Sequence, residues 1–535
     1  MGSGVIKRPL PFFVIGAETL RSRPVVQAYY ISMAVLPSMA RVVPTVLILL
    51  VGLSAGAHSQ SHHAGDLTLE PYSFRTFDGS DHPAELGHLW VRENRRGPSD
   101  RLIQIAFVRL RSTAQKPRSP VVFLPGGPGI PGIAMARVPV YYELFQKLQS
   151  LSDVILPDQR GIGMSSPNTQ CPEARSPPPD VLAKESGFQD LLIAQAHACA
   201  DYWLAQGIDL ASFNTAASAD DLEDLRRALG AERLSLLAHS YGTSLALEAV
   251  KRHGEHLDRV VLSGVEGPDH ALQMPLVFDF ALRKLSLSAA TSSKVRNAFP
   301  DTYQEFQRVL DRLKREPLTV HIRSGSAKQE VDLRVGAFLL QFAIKSMLPN
   351  GRKADRIPAL VYSLANGDTS LLTGIVQDLY NGLTSGYTAM QFAVMCSDGW
   401  SNSRRQLAQE QAAHSVFADV PFVHLDARLC SGVSATRPAS DSLLPIWSSV
   451  PTLLISGTLD SNTPVYQAEE VLWGLANGVA VIVENGFHET LPSAEVQAIV
   501  MEFFNGAEVR RRIVQFAPLN FLTIEEAEAS QRVAH

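Results

Sequence analysis

The sequence predicts an α/β fold: a mostly parallel sheet flanked by helices, with an inserted, mainly helical cap. Three observations predict it. Short apolar runs recur at Val121–Leu124, in "LSDVILPDQRG", at Leu234–Leu237, and in "DRVVLSG", "VPTLLISG" and "GVAVIVENG"; strands of this kind are buried on both faces, as in parallel sheets. Segments with helical spacing of apolar residues alternate with them. The alternation stops near Asp269 and resumes near residue 441, and the residues between read as helices, so a helical block sits between two strands of one sheet.

Taken in order, the chain first shows "MARVVPTVLILLVGLSAGAHSQS" from Met39. A basic residue, an apolar run from Val42 to Leu53 and small residues at Ala55-Gly56-Ala57 follow one another as in a cleaved secretory signal of about residues 39–57. The run is short of the ~20 residues that span a bilayer. Met39 reads as the start, with residues 1–38 a mis-called extension, and the mature chain as exported to a periplasmic or extracellular space without a stable membrane span. An uncleaved N-terminal anchor is the alternative. "SHHAGD" reads as a flexible lead-in. "ELGHLWVRENR" and "RLIQIAFVRLRS" read as two paired strands, and "MARVPVYYELFQKLQS" as a helix. "ASADDLEDLRRALG" reads as a helix capped by Ser218 and stopped at Gly230, and "LTVHIRSGSAKQEVDLRV" as a hairpin inside the helical block. The resulting division is 1–59 extension and signal, 60–268 first part of the core, 269–440 cap, and 441–535 the C-terminal part of the core.

Composition narrows the function. Of 535 residues 45% are hydrophobic and 19% charged, and the formal net charge is −5. No Lys/Arg-rich tract interleaved with aromatics is present, so nucleic-acid binding has no support. The four cysteines, Cys171, Cys199, Cys396 and Cys430, all follow the signal. An even number in an exported chain implies disulfides; three pairings are possible, the local one (Cys171–Cys199, Cys396–Cys430) is preferred, and free thiols are the alternative.

The chemistry centres on Ala238-His239-Ser240-Tyr241-Gly242, between an apolar strand and a helix. A serine on so tight a turn is lifted from the sheet with its hydroxyl exposed, beside the free amides of a helix N-terminus. A hydroxyl needs a base, and the base an orienting carboxylate. Asp460 in "SGTLDSNTP" and His488 in "NGFHETL" each follow a later strand, in the order this architecture requires. An oxyanion needs two rigid N–H donors: Tyr241 supplies one, and the loop Pro125–Gly129 ("PGGPG") the other, from Gly127 or alternatively Gly126. Asp158 and Arg160 of "DQRG" read as scaffold, paired with each other or anchoring that loop. Glu266 and Asp269, at the junction of sheet and cap, are candidates for holding a substrate ammonium group. His253 and His256 read as surface residues, and no metal site is expected.

The ordered set "GGPG", "DQRGIGMSS", "HSYGTSLALE", "MCSDGW", "LLISGTLDSNTP" and "NGFHETL" resembles the prolyl iminopeptidase and tripeptidyl aminopeptidase family of α/β-hydrolases, closest to its secreted tripeptidyl aminopeptidase branch, over about residues 85–505. The resemblance implies an α/β-hydrolase core with a helical cap. It implies Ser240, Asp460 and His488 as nucleophile, acid and base, no metal or organic cofactor, and release of residues or short peptides from peptide N-termini. Three positions depart from the pattern: Pro125 where many members have histidine, Ala238 for the first glycine of the turn, and Phe487 where glycine is frequent. They bear on substrate more than on chemistry. An esterase or lactonase acting on small esters with the same triad is one alternative, a catalytically inactive binding protein another.

Overall fold

The computed structural model describes residues 62–172, 177–323, 330–383, 386–422, 427–433 and 443–534; the signal segment lies outside them. Among these residues the main sheet has ten strands, in the order β1-β2-β3-β5-β4-β6-β7-β10-β11-β12. They are β1 (Leu67–Arg75), β2 (Asp81–Arg92), β3 (Leu102–Leu110), β4 (Val121–Leu124), β5 (Val154–Pro157), β6 (Leu234–His239), β7 (Leu257–Ser263), β10 (Thr452–Gly457), β11 (Gly478–Glu484) and β12 (Arg512–Gln515). β8 (Leu318–Arg323) and β9 (Glu330–Val335) form the separate hairpin. The first three strands and β5 pair antiparallel, and from β5 to β12 the pairing is parallel.

Burial explains why the central strands form. Every residue of β4, β5, β6 and β10 is buried. Alternate side chains feed two apolar layers. Phe123, Leu156, Leu237, Val261 and Ile455 pack on the helices Pro139–Gln149 and Ala494–Phe504. Val122, Ile155, Leu236, Val260 and Leu454 pack on the helices Thr215–Ala228 and Tyr241–His253. Continuous apolar runs are therefore what the sheet requires.

Between β7 and β10 the chain forms helices and the hairpin. Their apolar cluster, with Phe338, Phe392 and Phe417, also takes in Phe188 and Leu192 of the helix Glu185–Leu204 and Ala527 of the helix Ile524–Ala534. Segments on both sides of the insertion thus contribute to one helical layer. Disulfides join Cys171 to Cys199 and Cys396 to Cys430. Their sequence separations, 28 and 34 residues, predict that opening either costs about 3.5 kcal/mol of stability through the unfolded chain's extra freedom. Thermal unfolding of the Cys→Ser pairs against the oxidised protein measures it.

Three details differ from the sequence reading. The lead-in is docked: the His62 ring stacks on Trp90 at 3.7 Å, and the Gly65 N–H donates to the Trp90 carbonyl at 2.8 Å. An additional strand, β1, precedes the expected pair. The helix assigned a cap at Ser218 begins a turn earlier, because the Asn214 side chain accepts from the Ala217 N–H at 2.8 Å and Ser218 is buried inside it.

Candidate active site

Ser240 directly follows β6, at the middle of the parallel strands. Its φ of 55° and ψ of −131° are strained for a residue with a side chain, a conformation costing about 1–3 kcal/mol that persists only when its surroundings enforce it. Here they do. The Ser240 N–H donates to the Ser263 carbonyl of β7 at 3.0 Å, and its carbonyl accepts from the Thr243 N–H at 2.7 Å and from Thr243 Oγ1 at 2.6 Å. The helix then starts hard against β4: a methyl on Gly242 would lie 2.0 Å from the Leu124 carbonyl oxygen, so only glycine fits. Ala238 is fully buried in the sheet core, where its methyl is accommodated; this is why the first glycine of the turn is dispensable.

The candidate acid, Asp460, follows β10. Asp460 is held by four donors or donor-bearing groups. The N–H groups of Asn462 and Thr463 reach Oδ1 at 2.8 and 3.0 Å, Thr463 Oγ1 donates to Oδ2 at 2.6 Å, and His488 Nδ1 lies 2.8 Å from Oδ2. A carboxylate only accepts, so the His488 proton in this contact sits on Nδ1, leaving Nε2 for exchange. Thr463 Oγ1 also lies 3.1 Å from His488 Nδ1. His488 follows β11, and its backbone N–H donates to the Pro349 carbonyl of the helical layer at 3.0 Å. The neighbouring Phe487 ring packs against Gly351 and the same apolar layer, which gives this departure from glycine a tethering role. Burial works against a charged His488 ring, but Asp460, by charge and hydrogen bond, and then Glu489 and Glu266 outweigh it, and the imidazole is pushed up to about 9. Among the described residues the Ser240 hydroxyl has no hydrogen-bond partner; in ligand-free sites such contacts often tighten only with substrate bound.

The PGGPG loop runs over the serine. A methyl on Gly126 would sit 2.6 Å from Ser240 Cβ and 3.1 Å from its Oγ, so Gly126 is the residue pressed against the hydroxyl; Gly127 turns onward to Gly129, which meets Gln391 of the helical layer. Tyr241 opens the helix after the serine. Its buried hydroxyl donates to Thr215 Oγ1 (2.9 Å), whose proton goes to Asp398 (2.7 Å).

The two candidates for the ammonium group part company. Glu266 lines a cavity of 410 Å³ together with Ser244, Thr215 and Asp398. The lining does not include Ser240, Asp460 or His488; Glu266 links the cavity to the charge around His488. Burial lifts the Glu266 carboxyl to about 7, against the pull of His488. Burial likewise lifts Asp398 to about 7, against its bond from Thr215, with Glu266 and Glu248 adding to the lift. Asp269 also lines the cavity, but its oxygens are taken by the Ser401 N–H (2.7 Å) and hydroxyl (2.6 Å), with Arg404 at 3.8 Å, so it fastens the helix Asn402–Ala412 to the end of β7.

Asp158 and Arg160 do not pair with each other. Asp158 accepts from the N–H groups of Ile133 (2.9 Å) and Met164 (2.8 Å), anchoring the segment after the PGGPG loop. Arg160 grips Asp221 through two nitrogens and donates to the Glu93 and Ser212 carbonyls. His253 contacts Asp220 at 2.9 Å, and His256 contacts Glu223 at 3.2 Å.

A family model described as the alpha/beta hydrolase fold matches residues 119–491. The chain belongs to that family. Among curated relatives, this α/β-hydrolase is 30% identical over 168 residues to the putative hydrolase YuaR of Escherichia coli, covering 31% of each chain. It is 27% identical over 197 residues to the tripeptidyl aminopeptidase of Streptomyces coelicolor, covering 35% of this chain and 36% of that one. It therefore spans about a third of the length of the curated relatives it matches. Among solved structures, the proline iminopeptidase of Mycobacterium smegmatis is 15% identical with a TM-score of 0.37, covering 78% of this chain and 97% of its own. The α/β-hydrolase fold and the resemblance to the tripeptidyl aminopeptidases, both read from the motifs, are borne out.

Sequence reasoning missed several side chains at this α/β-hydrolase site. Thr463 stands three residues after Asp460, and Glu489 directly after His488. His239 sits inside the quoted serine motif, and Asp398 inside "MCSDGW", yet neither position signals what it meets in space.

Proposed function

We propose that this α/β-hydrolase is an exported serine peptidase of the aminopeptidase type. The observation that carries the reading is the His488–Asp460 pair, 2.8 Å apart, on the same sheet edge as the strained Ser240 turn. On this reading Ser240 Oγ adds to the substrate carbonyl while its proton passes to His488 Nε2. The imidazolium, steadied by Asp460, returns that proton to the leaving amine, and water then hydrolyses the acyl-enzyme by the same relay. The Tyr241 N–H and a glycine N–H of the PGGPG loop serve the oxyanion. The helical layer over the edge limits access to small substrates. Glu266, adjoined by Asp398, supports recognition of a free α-ammonium, whose desolvation a facing carboxylate offsets. Export is supported by the two disulfides, which persist in oxidising compartments; no helix among the described residues is long and apolar enough to cross a membrane.

The test is a panel of aminoacyl and tripeptidyl anilides, free and N-blocked, beside nitrophenyl esters. Turnover of the free anilides and not the blocked ones is expected; ester turnover alone overturns the peptidase assignment. Glu266→Gln is expected to lower the ratio of free-anilide to ester kcat/KM by about 10–100-fold, the worth of a hydrogen bond to a charged group. Taking the ratio at one pH cancels any effect on His488.

A further inference from the structure

The site holds a second imidazole–carboxylate pair that the acyl-transfer steps do not use. His239, the last residue of β6, is buried, and its Nε2 lies 3.0 Å from Glu489 Oε1. The other Glu489 oxygen accepts from the Tyr141 hydroxyl of the helix Pro139–Gln149. Because a carboxylate only accepts, His239 carries its contacting proton on Nε2, and its buried Nδ1 has no partner among the described residues. The ring hydrogen-bonds to Glu489 through Nε2, and its Nδ1 is left unsatisfied at a cost. It also packs directly on the base, with the His239 and His488 ring centroids 4.8 Å apart. Glu489 is the residue after His488, and its charge is one of those acting on that ring.

We propose that His239 and Glu489 are positioning residues for the base: the pair, braced by Tyr141, fixes where the Glu489 charge sits relative to the His488 ring and so sets how readily His488 takes the serine's proton. The inference rests on the serine-hydrolase reading above. Several groups face His488 among the described residues. They are His239 from β6, Glu266 after β7, Asp460 and Thr463 after β10, Glu489 on its own loop, and the Pro349 carbonyl from the helical layer; Tyr141 acts through Glu489. Burial opposes a charged Glu489, yet His239, then His488 and Tyr141, hold its carboxyl well below the usual carboxylate range. The Nε2–H and hydroxyl donors therefore share part of the negative charge that acts on His488.

The experiment follows the second-order rate of fluorophosphonate labelling of the full chain from pH 5 to 10. The rate is expected to rise with pH as His488 becomes neutral, with a wild-type midpoint near 9. Glu489→Gln removes the charge while its amide oxygen still accepts from His239 Nε2–H and its NH₂ donates to the Tyr141 hydroxyl oxygen, so the imidazolium loses support and the midpoint moves down by about one unit. His239→Leu removes a donor, leaves the carboxylate to His488, and moves the midpoint up; His239→Gln, whose amide N–H replaces Nε2–H, restores it. Tyr141→Phe moves it up as well and serves if His239→Leu does not fold. Opposite shifts from the two members of one bond are not what a purely structural pair gives. Folded Glu489→Gln and His239→Leu (or Tyr141→Phe) proteins with unmoved midpoints, or with midpoints moving the same way, overturn the inference while leaving the serine chemistry standing. Absence of wild-type labelling at Ser240 overturns both.

Discussion

Ser240→Ala is expected to lower kcat by about 10⁶-fold and to abolish fluorophosphonate labelling, with folding intact. The magnitude follows from the way the site is divided. His488 and Asp460 have no other nucleophile to activate once the hydroxyl is gone, so only binding and oxyanion stabilisation remain. Removing the methylene's oxygen relieves none of the backbone strain at φ 55°, because alanine retains the Cβ. Thermal stability should accordingly change little, which separates loss of chemistry from loss of fold. His488→Ala should cost about as much, and the double variant no more than either, because the two act as a unit. Additive losses would mean that they do not serve one reaction, and undiminished labelling of Ser240→Ala would place the reactive residue elsewhere.

Asp460→Asn is expected to lower kcat by about 10⁴-fold. Oδ1 of Asp460 accepts two backbone N–H groups and Oδ2 accepts from Thr463 and His488. An amide retaining its oxygen toward the backbone turns its NH₂ toward Thr463 and His488. Two donors then face each other at His488 Nδ1 unless the ring moves its proton to Nε2, the nitrogen that must receive the serine's proton. The variant also withdraws the main charge that lifts His488 above its ordinary range, so the acid limb of its residual activity should move to lower pH. A pH–kcat/KM profile with an unmoved limb would show that Asp460 does not act on the base.

What was legible beforehand has a common physical origin. β4, β6 and β10 declared themselves because a strand buried on both faces has little room for a polar residue, and Gly/Pro-rich loops punctuate their ends. Ser240, Asp460 and His488 are legible for the same reason: each stands just past such a strand. β1 and β12 were not, since most of their residues are exposed and exposed edges place little demand on residue type. Contacts across long sequence distances were equally hidden. His239 meets Glu489 250 residues later, and Asp269 meets Ser401 132 residues later; no periodicity encodes either. Ser218 illustrates a local failure. It and Asn214 are both good caps, and only the packing of the helix on the sheet decides between them.

β7 and β10 are hydrogen-bonded neighbours, with Val260 opposite Thr452, although the whole helical insertion separates them along the chain. If Ser240 and His488 act as proposed, a ribosome delivers the alcohol long before its proton acceptor. Until the last strands have been synthesised and slotted beside their earlier neighbours, the growing polypeptide carries an inert hydroxyl. On the serine-hydrolase reading, synthesis therefore separates the appearance of Ser240 from the assembly of the pair His488–Asp460 that would activate it.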